Sequence, residues 1–232
     1  MKYFMKNYQY FLFDLDGTII DSSQGIGNGV RYAFKKLSID KKYIEATIKN
    51  IGMPLQHFIS SVYQFDEKTK IKAVKFYRQY YKKKGIFENK VYKGIRKILE
   101  KLKSENKTIC LATSKPLIFA KKILKYENLD QYFDIIIGSR LNNTLFEKSE
   151  IIACVLKKLK NPSKDQVVMI GDRDYDIFGA KINSIDCIGV TYGFGSRKEL
   201  VKAGATYIVE EAKEIEIFSC GSSSKKSEEP RK

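Results

Sequence analysis

The 232-residue sequence contains one histidine and four cysteines, and these scarcities exclude several chemistries. Cys110, Cys154, Cys187 and Cys220 lie far apart, with no CxxC and no histidine pair nearby. Structural zinc sites use paired ligands at short spacing, so none is expected. Three of the four cysteines sit in apolar stretches such as Thr108-Ile109-Cys110-Leu111. They read as buried free thiols, which fits a reducing compartment. No Gly-x-Ser-x-Gly turn leads into a helix, so nothing supplies a nucleophile for a serine–histidine hydrolase. Neither a Walker A loop nor a GxGxxG after a strand is present, which argues against an NTP-driven motor or a nicotinamide enzyme. No apolar run approaches the ~18–20 residues of a membrane helix. Lys2 and Lys6 precede an apolar run, but Asp14 and Asp16 break it where an export signal must stay apolar. A soluble, cytoplasmic protein without a membrane partner is expected.

Acidic residues are in deficit: 27 Asp+Glu against 43 Lys+Arg give a formal charge of +16. Only seven of those cations are arginine, at 31, 78, 96, 140, 173, 197 and 231. Specific nucleic-acid readers favour the planar arginine fork. The lysines are spread along the whole chain, as on a solvated surface, so a nucleic-acid partner is not expected. The positive field still draws in small anionic substrates. With 43% hydrophobic residues the chain can build a packed core, which rules out a disordered chain, a fibrous repeat and a small disulfide module. The length fits one large domain or a domain with an insert.

Five short, β-branched or aromatic runs predict buried strands: Tyr10–Asp14, Thr108–Ala112, Asp134–Gly138, Val167–Gly171 and Cys187–Val190, with a sixth at Thr206–Val209. Helical stripes lie between them. Ile95, Ile98, Leu99 and Leu102 form one; Ile152, Val155, Leu156 and Leu159 form another. This alternation predicts an α/β fold, a Rossmann-like parallel sheet with helices on both faces. From Ser22 to Asn89 only helical patterns occur, with stripes at Ile26, Val30, Phe34 and Leu37 and at Ile71, Val74, Tyr77 and Tyr81. That segment reads as an inserted helical cap (22–89), leaving 1–21 and 90–218 as the core domain. Residues 219–232 are polar and of low complexity and read as a disordered tail.

Two strand ends carry acids. Asp14 and Asp16 follow the first strand, with Gly17 and Thr18 turning the chain. Ligands of open α/β sheets bind beyond the carboxyl ends of the strands. Adjacent carboxylates repel unless a proton or a cation relieves them, and Mg²⁺ takes oxygen ligands. Asp and Gly are also ordinary turn formers. Asp172 directly follows the fourth strand, and Asp176 lies one helical turn later. Acids also favour a helix N-terminus, which explains Asp174 well and Asp172 less well. The second strand ends in Thr113-Ser114-Lys115-Pro116, suited to an anion site at a helix start or to ordinary capping by Ser114. Lys148 precedes a helix but cannot be singled out by chemistry among the lysines. His57, in the predicted cap, fits a cap surface or the substrate's edge.

Together these pieces resemble the haloacid dehalogenase-like hydrolases, and their phosphatase branch in particular. Asp14-Leu15-Asp16-Gly17-Thr18 is similar to the family's DxDGT motif, Thr113-Ser114 to its second motif, Lys148 to its third, and Gly171-Asp172-x-x-x-Asp176 to its fourth. Ile51-Gly52-Met53-Pro54-Leu55 resembles the cap loop of phosphoglycolate phosphatase-like members, so Gly52, Met53, Pro54 and His57 become candidates for substrate choice. Thr191–Ser196 followed by Glu199 resembles the closing segment of that branch, and Ser196 with Glu199 also makes a capping box.

The resemblance implies an aspartyl-phosphate mechanism. Asp14 is then the nucleophile and Asp16 the general acid and base. Lys148, Thr113, Ser114, Gly17 and Thr18 hold the phosphoryl group. Mg²⁺ is held by Asp14, the Asp16 main-chain carbonyl and Asp172, with Asp176 orienting the metal's ligands or waters. The implied partner is a small phosphorylated metabolite, phosphoglycolate or a nucleoside monophosphate. A phosphosugar mutase is the alternative within the family; a basic nucleic-acid-binding module without catalysis is the alternative outside it.

Overall fold

A computed structural model describes residues 6–52, 58–59, 65–141 and 147–219. Among them, six parallel strands form one sheet in the order β5-β4-β1-β6-β7-β8. The strands are β1 (Tyr10–Phe13), β4 (Thr108–Pro116), β5 (Ile135–Ser139), β6 (Val167–Gly171), β7 (Asp186–Val190) and β8 (Tyr207–Val209). Each predicted strand is present within a residue or two, except that β4 runs four residues further. Its pairing with β5 shifts register between Thr113 and Pro116, so the chain bends there while keeping its ladder.

The side-chain period of two divides the sheet's residues between two cores. Phe11 and Phe13 face α4 (Ile95–Ser104) and α5 (Leu117–Tyr126) in one core. Leu12, Cys110 and Met169 face α6 (Lys148–Lys158), α7 (Asp174–Ile182) and α8 (Arg197–Ala203) in the other. Apolar side chains on both faces explain why the strands lack in/out alternation. The predicted α4 stripe is buried as a unit: Ile95, Ile98, Leu99 and Leu102 are at most 3% exposed. Cys110 and Cys187 are buried free thiols and Cys154 is half-buried; Ser219, the first residue of the expected tail, is buried and donates to Glu216 O at 2.9 Å, and residues 220–232, Cys220 included, lie outside the described residues.

Between β1 and β4 the chain forms α1 (Ser23–Lys36), α2 (Lys41–Ile48) and α3 (Glu67–Lys83). Two short strands, β2 (Ile20–Asp21) and β3 (Lys90–Val91), pair antiparallel where this helical insert leaves and rejoins the sheet. Sequence patterning shows no such ribbon, because two residues are too few for a period to register. One helical stripe departs at its first position: α3 buries Tyr77 and Tyr81 of the stripe, with Ala73, against α1 and half-buries Val74, while Ile71 is 61% exposed. The bulky tyrosines set the rotation of the helix, and Gly29 of α1 makes room for the Tyr77 ring.

The insert closes through backbone contact. Gly25 donates its amide to Glu88 O at 3.0 Å, and a Cβ there would lie 2.1 Å from Gly85 O. A backbone carbonyl cannot move aside as a flexible side-chain end can. Gly25→Ala is therefore expected to destabilise the fold by about 1–3 kcal/mol, the usual cost of overpacking. Urea unfolding followed by circular dichroism checks this; an unchanged midpoint would refute the close-contact reading.

Candidate active site

Parallel pairing with β1 in the centre fixes the site. β1 pairs with β4 on one side and β6 on the other, in matching register. The residues that follow each strand therefore emerge at the same edge. Asp14 stays in the ladder, its amide donating to Ile170 O at 2.9 Å. Beyond it the chain turns sharply at Gly17, which has φ +83°. A Cβ on Gly17 would lie 2.2 Å from Asp172 Oδ2, so only glycine allows both this turn and this approach.

Asp14, Asp172 and Asp176 each offer a carboxylate oxygen within 4.8 Å of the others, and all three are buried. Lys148, the first residue of α6, reaches into the group. Its Nζ lies 2.8 Å from Asp14 Oδ1 and 2.8 Å from Asp176 Oδ1, and it donates to Ala112 O at 3.0 Å. The Lys148 ammonium is thus shared between two carboxylates. Asp176 Oδ2 accepts from the Arg173 amide at 3.1 Å, fixing the carboxylate at the start of α7.

One ammonium among three buried carboxylates leaves excess negative charge. Burial pushes the Asp14 carboxyl up to about 6, with Asp176 and Asp16 adding to it and Lys148 opposing it. Burial also lifts Asp172 well above the usual carboxylate range, reinforced by Asp176 and Asp14, while the Phe194 amide opposes the rise. Burial works against the charge on Lys148, yet attraction to Asp14 and Asp176 outweighs it and raises its pKa. A hard divalent cation with oxygen ligands fits this donor set, since it supplies the charge the cluster lacks.

Asp172 is fastened from two directions. Its Oδ2 accepts from the Phe194 amide at 2.7 Å and its Oδ1 from the Thr18 hydroxyl at 3.3 Å. Tyr192 donates to Thr18 O at 3.0 Å from the same loop. The Thr18 hydroxyl, a candidate phosphate donor by sequence, is thus engaged with a carboxylate. Thr113 is buried, and its Oγ1 accepts from the Lys115 amide at 3.2 Å, which leaves its own hydrogen available to donate. Ser114 is half-buried in the same strand end. It does not cap a helix, because β4 continues to Pro116 and α5 starts at Leu117.

Two residues that sequence patterning did not single out take part. Lys115 Nζ donates to both Asp16 oxygens, at 2.7 and 2.6 Å, and lies 4.8 Å from the Tyr81 ring centre. Arg173 follows Asp172 directly. Its Nε donates to Glu199 Oε1 at 2.8 Å and its Nη1 to Ile51 O at 2.6 Å, beside Gly52. Glu199 is consequently not returned to Ser196 as a full capping box requires. It accepts from Arg173 and from the Asp174 amide instead, while Ser196 alone caps α8. No local signal marks either cation among its neighbours in sequence. Of the residues proposed for substrate choice, Gly52 sits against Arg173; Met53, Pro54 and His57 lie outside the described residues.

Known proteins are similar to this chain in sequence and fold. A family profile described as haloacid dehalogenase-like hydrolase matches residues 11–190. A 5'-nucleotidase of Pseudomonas aeruginosa is 40% identical over 83% of this chain and 87% of its own. A phosphoglycolate phosphatase of Aquifex aeolicus is 32% identical over 73% of this chain and 78% of its own. The crystal structure of a predicted phosphatase from Clostridium acetobutylicum superposes with a TM-score of 0.85 at 45% identity, covering 90% of this chain and 97% of that one.

The raised carboxyls set a pH dependence. A folded-state pKa above the unfolded value means that, without a cation, stability is present at low pH and is lost as pH rises. For Asp14 the loss falls between the unfolded value of 3.8 and about 6, and Asp172 extends it upward. A divalent cation must displace those protons to bind. It should therefore raise Tm by several degrees at pH 8, corresponding to about 2.7 kcal/mol at 100 times Kd, and much less at pH 5. Scanning calorimetry with and without the cation measures this; an equal shift at both pH values, or one kept by Asp172→Asn, contradicts the assignment.

Proposed function

The chain belongs to the haloacid dehalogenase-like hydrolases, and on that premise we propose that it is a Mg²⁺-dependent phosphatase of small phosphomonoesters working through an aspartyl phosphate. The observation that carries this reading is the meeting of Asp14, Asp172 and Asp176 with Lys148 at one strand edge. A site that gathers carboxylates and a lysine suits an anionic substrate only when the negative charge is offset.

Mg²⁺ held by Asp14, the main-chain carbonyl of Asp16 and Asp172 would supply that offset and stabilise charge on the phosphoryl oxygens. Asp14 attacks phosphorus, forming the Oδ–P bond as the bond from phosphorus to the leaving oxygen breaks. A carboxylate needs no base to activate it, only relief from the repulsion of the incoming anion. Lys148 sits beside Asp14 and can accept the phosphoryl charge, with the Thr113 hydroxyl and Ser114 on the adjoining strand end. Asp16 gives its proton to the leaving alkoxide. It then takes a proton from the water that attacks the phosphoenzyme, and the Oδ–P bond breaks to release inorganic phosphate. Asp176 holds Lys148 in place between itself and Asp14.

The helical insert serves as the cap of this site. Its loop at Ile51–Gly52 is tethered to Arg173, one residue from Asp172, and Tyr81 lies over Lys115. The named activities of the relatives, 5'-nucleotidase and phosphoglycolate phosphatase, support a nucleoside monophosphate or phosphoglycolate as substrate.

The test is phosphate release from nitrophenyl phosphate, phosphoglycolate, and purine and pyrimidine monophosphates, with Mg²⁺ or excess EDTA. Turnover is expected with Mg²⁺ alone. Asp14→Asn is expected to lower it by at least about 10³-fold with the fold intact. Undiminished Mg²⁺-dependent turnover in that variant would remove Asp14 as the nucleophile. A second variant, Lys148→Met, strands Asp14 and Asp176 without their cation. It is expected to cost about 3–5 kcal/mol of stability in Mg²⁺-free buffer, measurable by denaturant unfolding; an unchanged midpoint would contradict the shared ion pair.

A further inference from the structure

We propose that Lys115 is the positioning residue for Asp16, holding the carboxylate on the leaving-group side of the site, braced by the face of Tyr81. This rests on the reading of Asp16 as the proton donor to the leaving oxygen. Nothing in the sequence motifs assigns Lys115 a role, yet its surroundings are specific.

Two lysines of the site have separate duties. Lys148 pairs with Asp14 and Asp176, the carboxylates gathered around the phosphoryl position. Asp16 stands outside that group. One ammonium donates to both of its oxygens, at 2.7 and 2.6 Å, and each oxygen keeps a second lone pair for the proton that goes to the leaving group. Donation to both oxygens fixes the plane of the carboxylate as well as its distance, where a single hydrogen bond would leave it free to turn. The lysine side chain is 5% exposed and that of Asp16 17%, so the pair keeps only a narrow opening to solvent. Asp16 is the exposed member, as a group that must meet a substrate atom should be.

Lys115 is itself held from two sides. Its amide donates to Thr113 Oγ1, and its ammonium lies over the Tyr81 ring at 4.8 Å, a cation–π contact. Tyr77 stacks on Tyr81 at 5.4 Å with the rings 11° from parallel. Both tyrosines belong to α3, so a continuous chain of contacts runs from the helical insert through Lys115 to Asp16. Without the ammonium, repulsion from Asp14 and the freedom of its own side chain would spread Asp16 over several rotamers. Proton transfer to the leaving oxygen depends on placement within hydrogen-bond reach.

A general acid matters most when the leaving group is poor. Lys115→Met and Tyr81→Leu are to be compared with the wild type and Asp16→Asn on aryl phosphates of rising leaving-group pKa and on an alkyl phosphate, glycerol phosphate, with Mg²⁺ present. The readout is kcat/KM, which reports steps up to departure of the leaving group. Lys115→Met is expected to lose about 10²-fold or more on the alkyl phosphate and less than about 10-fold on nitrophenyl phosphate, steepening the dependence as Asp16→Asn does. Tyr81→Leu should steepen it in the same sense by a smaller factor, and Lys115→Arg should restore part of the loss. The retained nitrophenyl activity is the internal check on folding.

An equal loss on good and poor leaving groups, a change in KM alone, or no change overturns the assignment of Lys115. If Asp16→Asn shows the steep dependence and neither Lys115→Met nor Tyr81→Leu does, Lys115 fails while the phosphatase reading stands. If the wild type cleaves none of the esters, the phosphatase reading fails and the assignment falls with it.

Discussion

Everything at the mouth of this sheet follows from one electrostatic constraint. Three carboxylates are buried within hydrogen-bonding distance of a shared centre, and a single ammonium stands among them. Like charges at such separations are tolerated only with protons or cations between them. The surrounding chain is arranged to keep them together nonetheless. The Phe194 amide and the Thr18 hydroxyl hold Asp172, the Arg173 amide holds Asp176, and the ladder with β6 holds Asp14. The donors come mostly from main chain, which cannot reorient independently of the fold. Such a cluster is a stored demand for positive charge, and that demand connects the architecture to phosphate chemistry.

The second constraint is separation of labour between the two lysines. Lys148 begins a helix and enters from one side; Lys115 ends a strand and enters from the other. Lys148 pairs with Asp14 and Asp176 and Lys115 with Asp16, so Asp14 and Asp16, two residues apart, live in different electrostatic surroundings. The roles proposed for them, nucleophile and proton donor, call for such a difference. Here it arises from geometry outside the motif.

Much of this was legible in the sequence, and the reasons are particular. The strands of the sheet are short, β-branched and bounded by turns, so their positions were readable, and parallel pairing then followed from the intervening helices. Asp14 and Asp172 stood out because each follows an apolar run directly. Lys115 and Arg173 did not, because a lysine among many or an arginine after an aspartate carries no pattern. Their meaning lies in partners such as Asp16 and Ile51, 99 and 122 residues away. The capping box at Ser196 failed for a related reason. Glu199 fits it locally, but Arg173 and the Asp174 amide compete for the same carboxylate and win. Ile71 fits the stripe of Val74, Tyr77 and Tyr81 by spacing, yet the face that α3 turns inward carries Ala73, Tyr77 and Tyr81 and leaves Ile71 exposed.

The site draws on four stretches of chain, near residues 14, 115, 148 and 172, brought together where β1 is flanked by β4 and β6. Closing such distant contacts is late work for a polypeptide, since loop closure precedes any reward from the pairing. No fragment of this chain therefore owns the chemistry, and an intermediate with only one edge of the sheet in place would be inert toward phosphate. Catalytic competence in this molecule is a readout of completed long-range assembly.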